Sequence, residues 1–224
     1  MKGLSFIELK DLSFEYKKDR PIINNLNLKI QKDEITAVLG PNGSGKTTLG
    51  KLMMGILKPT EGQAFILNKD ISEMTLAQIG SIIGYLFQNP EKQFFANRVE
   101  EELGFVSRLK GYEEGYLEDR IEGLLRLFQL EHVRKSSPLL LSQGEKQRLA
   151  IATILINQPE YLILDEPTTG LDRVRKQLLI DLLNDLLDKG IGMTIISHDH
   201  YFIEQLSQRV IRIHRGEIIY DQRM

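Results

Sequence analysis

The sequence predicts an α/β fold with an N-terminal antiparallel β subdomain and a helical subdomain inserted into the α/β core. Three observations lead to this prediction. Residues 5–16 and 24–30 alternate apolar and polar side chains with the period of strands. From residue 34 onward, apolar strands are followed by helical patterns, which is typical of α/β units. Between about residues 89 and 158 the pattern is mostly helical.

The α/β core starts with a strand over residues 34–40 and a helix over residues 46–57. The apolar residues of that helix share one face and are Leu49, Leu52, Met53 and Ile56. The further elements predicted are strands at 63–67, 83–87, 161–164 and 193–196, helices at 116–130 and 141–156, and a hairpin at 209–220 that turns at Arg215 and Gly216. We predict one domain over residues 1–224, in which 1–88 and 159–224 form the core and about 89–158 the helical subdomain.

Composition narrows the classes of function. A chain of 224 residues with 42% hydrophobic residues can bury a large core. The 29 basic and 31 acidic residues nearly balance, without a basic stripe, so we expect no nucleic-acid partner. The absence of cysteine excludes disulfides. We expect no signal peptide and no membrane span, because acidic residues interrupt the N-terminus and no apolar run approaches about 18 residues.

The segment "GPNGSGKT" fits the phosphate-binding pattern G-x-x-x-x-G-K-[ST] between a strand and a helix. Gly43 and Gly45 allow the backbone N–H groups to point at phosphate oxygens, Lys46 supplies a positive charge, and Thr47 supplies a hydroxyl for Mg²⁺. The structural alternative is an ordinary glycine-rich turn. The predicted ATP ligands in this region are Gly40, Pro41, Asn42, Gly43, Ser44, Gly45, Lys46, Thr47 and Thr48.

The segment "YLILDEPTTGLD" places two carboxylates after an apolar strand, at the end where open α/β sheets bind ligands. We expect Asp165 to be a metal ligand and Glu166 to be the general base that deprotonates the attacking water. Alone, such a pair would be a solvated turn.

The segment "LSQGEKQRLAIATILI" begins with a capping box, in which Ser142 and Glu145 bond each other's backbone amides. That reading is purely structural. The same helix start, with the hydroxyl of Ser142, the exposed amide of Gly144 and no evident protein anion nearby, is also suited to binding a γ-phosphate.

Taken together, these residues resemble the ATP-binding-cassette (ABC) ATPases over essentially the whole chain. The matching positions, in order, are Gly40 to Thr47, Gln88, Leu141 to Glu145, Ile163 to Glu166, Gly170 to Asp172, and His198. The resemblance implies a P-loop NTPase with a RecA-like core, in which two cassettes enclose two ATP molecules. Ser142 and Gly144 would then contact the ATP held by a partner's Lys46. Gln143 and Glu145 differ from the common signature "LSGGQ", which bears on how tightly the dimer closes.

The resemblance implies further roles. Tyr16 would stack on adenine, although packing is the alternative, and Gln88 would contact Mg²⁺ and water. His198 would hold the γ-phosphate and the position of Glu166, and Asp172 would cross the dimer interface. The implied catalytic residues are Lys46, Gln88, Glu166 and His198, and the implied metal ligands are Thr47, Gln88 and Asp165. The other histidines match nothing, and we expect surface or packing positions for His132, His200 and His214.

Residues 86–105, "LFQNPEKQFFANRVEEELGF", look most like the ATPase subunits of energy-coupling-factor importers of vitamins and transition metals. The mixture of acid, amide and aromatic groups suits a groove that receives a partner helix. The residues expected to dock the membrane partner are Glu91, Gln93, Phe94 and Phe95. The alternative is that the two phenylalanines fill the seam between subdomains, which we expect for one of them.

This resemblance implies several partners: a second ABC ATPase, identical or different, a transmembrane coupling subunit, and a substrate-binding membrane subunit. It places the protein at the cytoplasmic face of the cell membrane, as a peripheral subunit. Two other functions remain open, the ATPase of another class of ABC transporter and a soluble ABC ATPase without a membrane partner. The cargo is not identified, because specificity in such systems belongs to the separate membrane subunit.

Overall fold

The structure is a computed structural model that describes residues 5–224, so the first four residues of the predicted domain lie outside it. The strands are β1 (Ile7–Glu15), β2 (Pro21–Ile30), β3 (Ile35–Leu39), β4 (Glu61–Ile66), β5 (Lys69–Asp70), β6 (Ile83–Leu86), β7 (Tyr161–Asp165), β8 (Met193–Ile196), β9 (Arg209–His214) and β10 (Glu217–Arg223). The α-helices are α1 (Lys46–Met53), α2 (Leu76–Gly80), α3 (Val99–Leu109), α4 (Glu114–Leu127), α5 (Gln143–Leu155), α6 (Arg173–Asp188) and α7 (His200–Leu206). Short 3₁₀ helices lie at Ile71–Glu73, Pro90–Gln93, Glu131–Val133 and Pro138–Leu140.

The strands form two sheets. The N-terminal sheet has the order β2-β1-β4-β5 and is antiparallel, as predicted. The second sheet has the order β10-β9-β3-β8-β7-β6, and its strands are parallel except for β10, which turns back on β9 at Arg215 and Gly216. The four strands β3, β6, β7 and β8 are buried along their whole length, which explains their continuous apolar sequences.

Two apolar clusters hold these elements together. One contains buried residues of α1 together with residues of both sheets, so α1 is packed with the two sheets at once. The other covers the opposite face of the parallel sheet and includes residues of α3, α4, α5 and α6. The segment between β6 and β7 therefore packs on the core as a helical layer. No helix among residues 5–224 is long and apolar enough to cross a membrane.

Several predicted boundaries are wrong, among them the helix predicted at 116–130, which runs from Glu114 to Leu127, and two have a clear cause in the backbone. The strand predicted at 63–67 runs from Glu61 to Ile66, because Leu67 and Asn68 adopt positive φ angles of 50° and 65° and form the turn into β5. The helix predicted to reach residue 57 ends at Met53, shortly before Gly55, whose φ of 71° is left-handed and cannot continue a helix.

Alanine normally stabilises a helix, but we expect a side chain at Gly50 of α1 to destabilise the protein. A Cβ at Gly50 would lie 2.9 Å from Cδ1 of Ile196 and 3.2 Å from the hydroxyl oxygen of Tyr85. We expect Gly50→Ala to lower the unfolding free energy by about 1–3 kcal/mol through overpacking. The matched control is Gly123→Ala on the exposed side of α4, where a Cβ meets nothing within 4 Å.

Thermal unfolding of both variants checks this expectation. Gly123→Ala should gain about 0.5–1 kcal/mol from helix propensity, so the two variants should shift Tm in opposite directions. A Gly50→Ala protein as stable as Gly123→Ala would contradict the packing described for α1.

Candidate nucleotide site

The loop between β3 and α1 has the conformation that its glycines permit. Gly43 and Gly45 have φ angles of 77° and 105°, in the left-handed region that favours glycine. A Cβ at Gly45 would also lie 2.9 Å from the carbonyl oxygen of Ile22. The loop leads directly into α1 at Lys46, so the positive end of the helix dipole is at the loop. This is the arrangement that binds phosphate groups.

Lys46 is buried inside the loop, and its ammonium group donates hydrogen bonds to the carbonyl oxygens of Gly40 at 2.8 Å and Pro41 at 3.1 Å. A single cleft opens beside it. The residues that line the cleft are Tyr16, Ile22, Asn42, Gly43, Gly45, Lys46, Thr47, Thr48, Gln88 and Glu166. The structure therefore brings together the loop, the predicted adenine-stacking tyrosine, Gln88 and the predicted base. The Tyr16 ring is 58% exposed, and its hydroxyl lies 3.4 Å from Oγ1 of Thr48.

Asp165 at the end of β7 is the most unusual charged group of the site. The residue is 1% exposed, and neither carboxylate oxygen has a hydrogen-bond partner in the part of the chain that the structure describes. Burial raises its pKa, whereas the nearby hydroxyl of Thr47 lowers it. Mg²⁺ prefers such carboxylate and hydroxyl oxygens. Asp165 and Thr47, with Gln88 in the cleft, thus fit a divalent cation.

Glu166 is held at the cleft by contacts to several elements. Its φ of 54° is left-handed, which is uncommon for a residue with a side chain. Its Oε2 lies 2.9 Å from Nδ1 of His198 and accepts a hydrogen bond of 3.4 Å from Ser197. Its backbone carbonyl accepts a bond of 3.5 Å from Gln147, which is fully buried on α5. The sequence does not reveal the contacts of Ser197 and Gln147, because no local pattern around either residue indicates a contact to Glu166.

The helix start at Ser142 contains the predicted capping box. The Ser142 hydroxyl accepts from the Glu145 amide at 3.4 Å, and the Glu145 carboxylate accepts from the Ser142 amide at 2.9 Å. The expectation of no protein anion at this helix start is wrong, because the Glu145 carboxylate lies there. Its other oxygen lies 2.9 Å from Nε2 of His132, which is on the surface as expected but is paired. The hydrogen bond from the Ser142 side chain is the main cause that lowers the pKa of Glu145.

The signature residues Ser142, Gln143, Gly144 and Glu145 do not line the cleft of their own chain. They lie instead beside the loop before α6, where a Cβ at Gly144 would be 3.3 Å from the carbonyl oxygen of Gly170. Asp172 caps α6 by accepting a bond of 2.8 Å from the Arg175 amide. Its predicted role at a dimer interface stays a prediction.

The four predicted docking residues differ in accessibility. Glu91 is exposed and pairs with Lys146 at 3.1 Å. Gln93 accepts a bond of 3.4 Å from the Phe87 amide, and Phe94 packs against the core. The two phenylalanines follow a short 3₁₀ helix and are not part of a longer helix.

Phe95 is the docking residue that is free to meet a partner. Its ring is 73% exposed and stacks on Phe105 of α3, with 5.8 Å between ring centroids. The amides of Phe95 and Ala96 donate to the buried carboxylate of Glu102 at 2.7 and 2.6 Å. Sequence reasoning missed Phe105 and Glu102, because nothing in the pattern of α3 shows which of its side chains meets the preceding loop.

Comparison with known proteins identifies the family. A family model described as ABC transporter matches residues 23–169. The energy-coupling factor transporter ATP-binding protein EcfA of Methanothermobacter thermautotrophicus is 40% identical over 215 residues, which cover 95% of this chain and 69% of that protein. The chain therefore belongs to the ABC transporter family, and the predictions of an ABC cassette and of an ATPase as the class of enzyme are confirmed.

Two solved structures are similar over nearly the whole chain. One is CbiO1 from Clostridium perfringens, described as part of the ABC transporter complex CbiONQ. It has a TM-score of 0.87 at 31% identity, and the match covers 99% of this chain and 89% of the CbiO1 chain. A dimeric ATP-binding cassette in a post-hydrolysis state, bound to ADP and phosphate, has a TM-score of 0.88 at 25% identity, covering 97% and 98% of the two chains. The predicted fold class is confirmed. Some curated relatives are longer than this chain, which spans 38%, 37% and 48% of three of them.

Asp165 is expected to lower the stability of the protein when no cation is bound. Because burial raises its pKa in the folded state, the stability that its protonated form contributes is present below the unfolded pKa of about 3.9. That stability is lost as the pH rises through the folded pKa. Asp165→Asn should therefore be more stable than the wild-type protein at pH 8 in EDTA, with a difference that disappears toward pH 4.

Thermal unfolding between pH 4 and pH 8 measures this difference, at about 2–4 °C in Tm for each kcal/mol in a chain of this size. Asp119→Asn, at an exposed position of α4, is the matched control and should show no such trend. An Asp165→Asn protein less stable than wild type at pH 8 would mean that the carboxylate has a stabilising partner.

Proposed function

We propose that this chain is the ATP-hydrolysing subunit of an energy-coupling-factor type importer of a vitamin or a transition metal ion. It works as one of two ABC ATPase subunits, identical or different, at the cytoplasmic face of the cell membrane. There it binds a transmembrane coupling subunit, which acts with a substrate-binding membrane subunit. The observation that carries the proposal is the cleft that joins the phosphate-binding loop to Glu166, together with the exposed aromatic pair of Phe95 and Phe105.

The cleft positions ATP by its phosphates. The amides of the loop and the N-terminus of α1 attract phosphate oxygens, and the ammonium group of Lys46 is already at the base of the loop. Lys46 then exchanges its bonds to the carbonyl oxygens of Gly40 and Pro41 for bonds to the β- and γ-phosphates. Tyr16, exposed at the mouth of the cleft, is placed to stack on the adenine.

Thr47, Gln88 and Asp165 are the residues that would hold Mg²⁺. A bound Mg²⁺ neutralises charge that develops on the phosphates during transfer. Both carboxylate oxygens of Asp165 are buried and lack a hydrogen-bond partner within residues 5–224, which costs free energy unless a cation binds to them.

Glu166 accepts the proton of the attacking water. Its carboxylate reaches the cleft while its Oε2 stays near Ser197 and His198, which fix its direction. His198 is 76% exposed at its side chain, so it can also reach a phosphate at the rim. The left-handed backbone of Glu166 is a constraint that the buried Gln147 helps to maintain.

The site of one chain is half of a complete site. The signature residues lie apart from the cleft, which supports a role for them at the nucleotide of a second cassette. The solved dimeric cassette with ADP and phosphate supports this arrangement. In our proposal ATP joins the two cassettes, hydrolysis separates them, and the motion passes through residues 88–105 to the membrane helices.

The similarity to EcfA and to CbiO1 supports an energy-coupling-factor importer over other ABC systems. The surface around Phe95 supports the same choice. Exposed apolar side chains of α3, Phe105, Val106 and Leu109, extend the surface of Phe95. Such a patch is suited to receiving an apolar helix.

Glu166→Gln should slow ATP hydrolysis by about 100-fold or more, because an amide cannot accept the proton of water. ATP binding should persist, and a dimer that lasts in ATP should accumulate. Phosphate release and size-exclusion chromatography with ATP measure the two effects. Glu204→Gln, at an exposed position of α7, should behave as wild type. A Glu166→Gln protein that hydrolyses ATP at the wild-type rate would contradict the proposed base.

Phe95→Ala combined with Phe105→Ala should separate the cassette from its membrane partners, because the pair supplies much of the exposed apolar surface of the segment. Co-purification in mild detergent from the native host, followed by mass spectrometry, measures the loss. The matched control is Leu127→Ala combined with Leu178→Ala, two exposed leucines that lie outside this segment.

We expect a polytopic membrane protein and a small substrate-binding membrane protein to co-purify with the wild-type protein and with the control variant. If wild-type protein that binds ATP brings down no membrane protein, the importer is the wrong function and a soluble ABC ATPase replaces it. If the double alanine variant retains the same membrane proteins, the docking surface lies elsewhere.

A further inference from the structure

Tyr85 on β6 carries a polar group that the chemistry described so far does not use. The residue is 7% exposed, and its hydroxyl has no hydrogen-bond partner within residues 5–224. A buried hydroxyl without a partner is costly and rare in folded proteins. Tyr161, which is fully buried in the same sheet, shows the normal case, since its hydroxyl lies 2.9 Å from Oγ1 of Thr194.

The sheet directs Tyr85 toward Asp165. In the parallel pairing of β6 with β7, Tyr85 is opposite Ile163, and Asp165 follows two residues later on the same face. Tyr85 and Ile163 belong to one apolar cluster, which includes residues of α1. The hydroxyl and the carboxylate are close enough that the charge of Asp165 adds to burial in raising the pKa of Tyr85. A tyrosine hydroxyl carries a proton at neutral pH, so toward a carboxylate it acts as a hydrogen-bond donor.

Gly50 provides the room for this side chain. A Cβ at Gly50 would lie 3.2 Å from the hydroxyl oxygen and 3.4 Å from Cε2 of Tyr85. The tyrosine thus reaches past β7 to the turn of α1 that follows Lys46 and Thr47. The hydroxyl is placed between α1, which supplies Thr47, and β7, which supplies Asp165.

We propose that the Tyr85 hydroxyl donates a hydrogen bond to the Asp165 carboxylate and so positions that carboxylate as a metal ligand, an inference that rests on the Mg²⁺ site proposed above. Two buried groups, one donor and one acceptor, are neighbours, and each lacks another partner in the described part of the protein. A bond to one carboxylate oxygen leaves the second oxygen to the cation and fixes the rotation of the side chain. Tyr85 is a positioning residue, because it acts on the metal through Asp165.

Tyr85→Phe removes the hydroxyl and keeps the ring, so the core should keep its packing. Loss of a partner of this kind costs about 10–100-fold in metal affinity. We expect Mn²⁺, used as a probe for Mg²⁺, to bind the complex of the full chain with ADP about tenfold more weakly in the variant. Electron paramagnetic resonance of free Mn²⁺ measures that affinity. Calorimetry in EDTA should show an unchanged affinity for ADP alone.

Tyr161→Phe is the matched control, since it removes a buried hydroxyl of the same sheet that contacts Thr194 rather than Asp165. It should bind Mn²⁺ as wild type does. In the Asp165→Asn background, Tyr85→Phe should have no further effect on Mn²⁺ binding, because the group it positions is gone. That result separates positioning from a general effect on the core.

Three outcomes are decisive against the inference. Equal Mn²⁺ affinity in Tyr85→Phe and wild type would show that the hydroxyl has no role at the metal. An equal loss in Tyr161→Phe would show a general effect of removing a buried hydroxyl. If Asp165→Asn itself binds Mn²⁺ as wild type does, the proposed metal site fails, and the inference about Tyr85 fails with it.

Discussion

The constraint on which the site depends is the burial of the Asp165 carboxylate, which forms no ion pair within residues 5–224. A buried charge is stable only when it is paired or bound to a cation. The parallel sheet creates this situation, because the apolar strand β7 ends next to the phosphate-binding loop and places Asp165 below the surface there. Burial of this carboxylate therefore destabilises the fold, and a bound metal and nucleotide can offset that cost.

The other functional groups differ in which contacts hold them in place. Lys46 is satisfied by carbonyl oxygens of its own loop, and Glu166 is near two side chains from the end of β8. The signature segment is satisfied within itself, since Glu145 caps its helix and pairs with His132. Glu145 is one of the two positions at which the signature differs from the common form. Its negative charge is held in place by the Ser142 amide at the helix start and by His132 on the surface. ATP bound by a second cassette would contact the hydroxyl of Ser142, next to the Glu145 carboxylate.

Sequence reasoning succeeded where a function depends on neighbours along the chain. The phosphate loop, the capping box at Ser142 and the turn at Arg215 and Gly216 are local patterns with a physical cause in each residue. It failed where distant residues meet. The hydrogen bond from the Phe95 amide to the Glu102 carboxylate and the approach of Tyr85 to Asp165 depend on how helices and strands pack. Periodicity gives only the face on which each residue lies. Of the predicted docking residues, Phe95 is accessible and stacks on Phe105, a contact that the sequence does not reveal, and their role in docking stays a prediction.

In our proposal, the signature of this chain contacts ATP that a second cassette holds. Because the chain contains no cysteine, Gln143→Cys, exposed at the signature, can be labelled uniquely with a short photoreactive maleimide in the protein purified from its host. We predict an adduct that requires ATP and that maps to the phosphate-binding loop of a second cassette, whether a copy of this chain or another. Lys69→Cys on β5 should give none. Adducts that are independent of ATP, or that join no second cassette, would contradict the account.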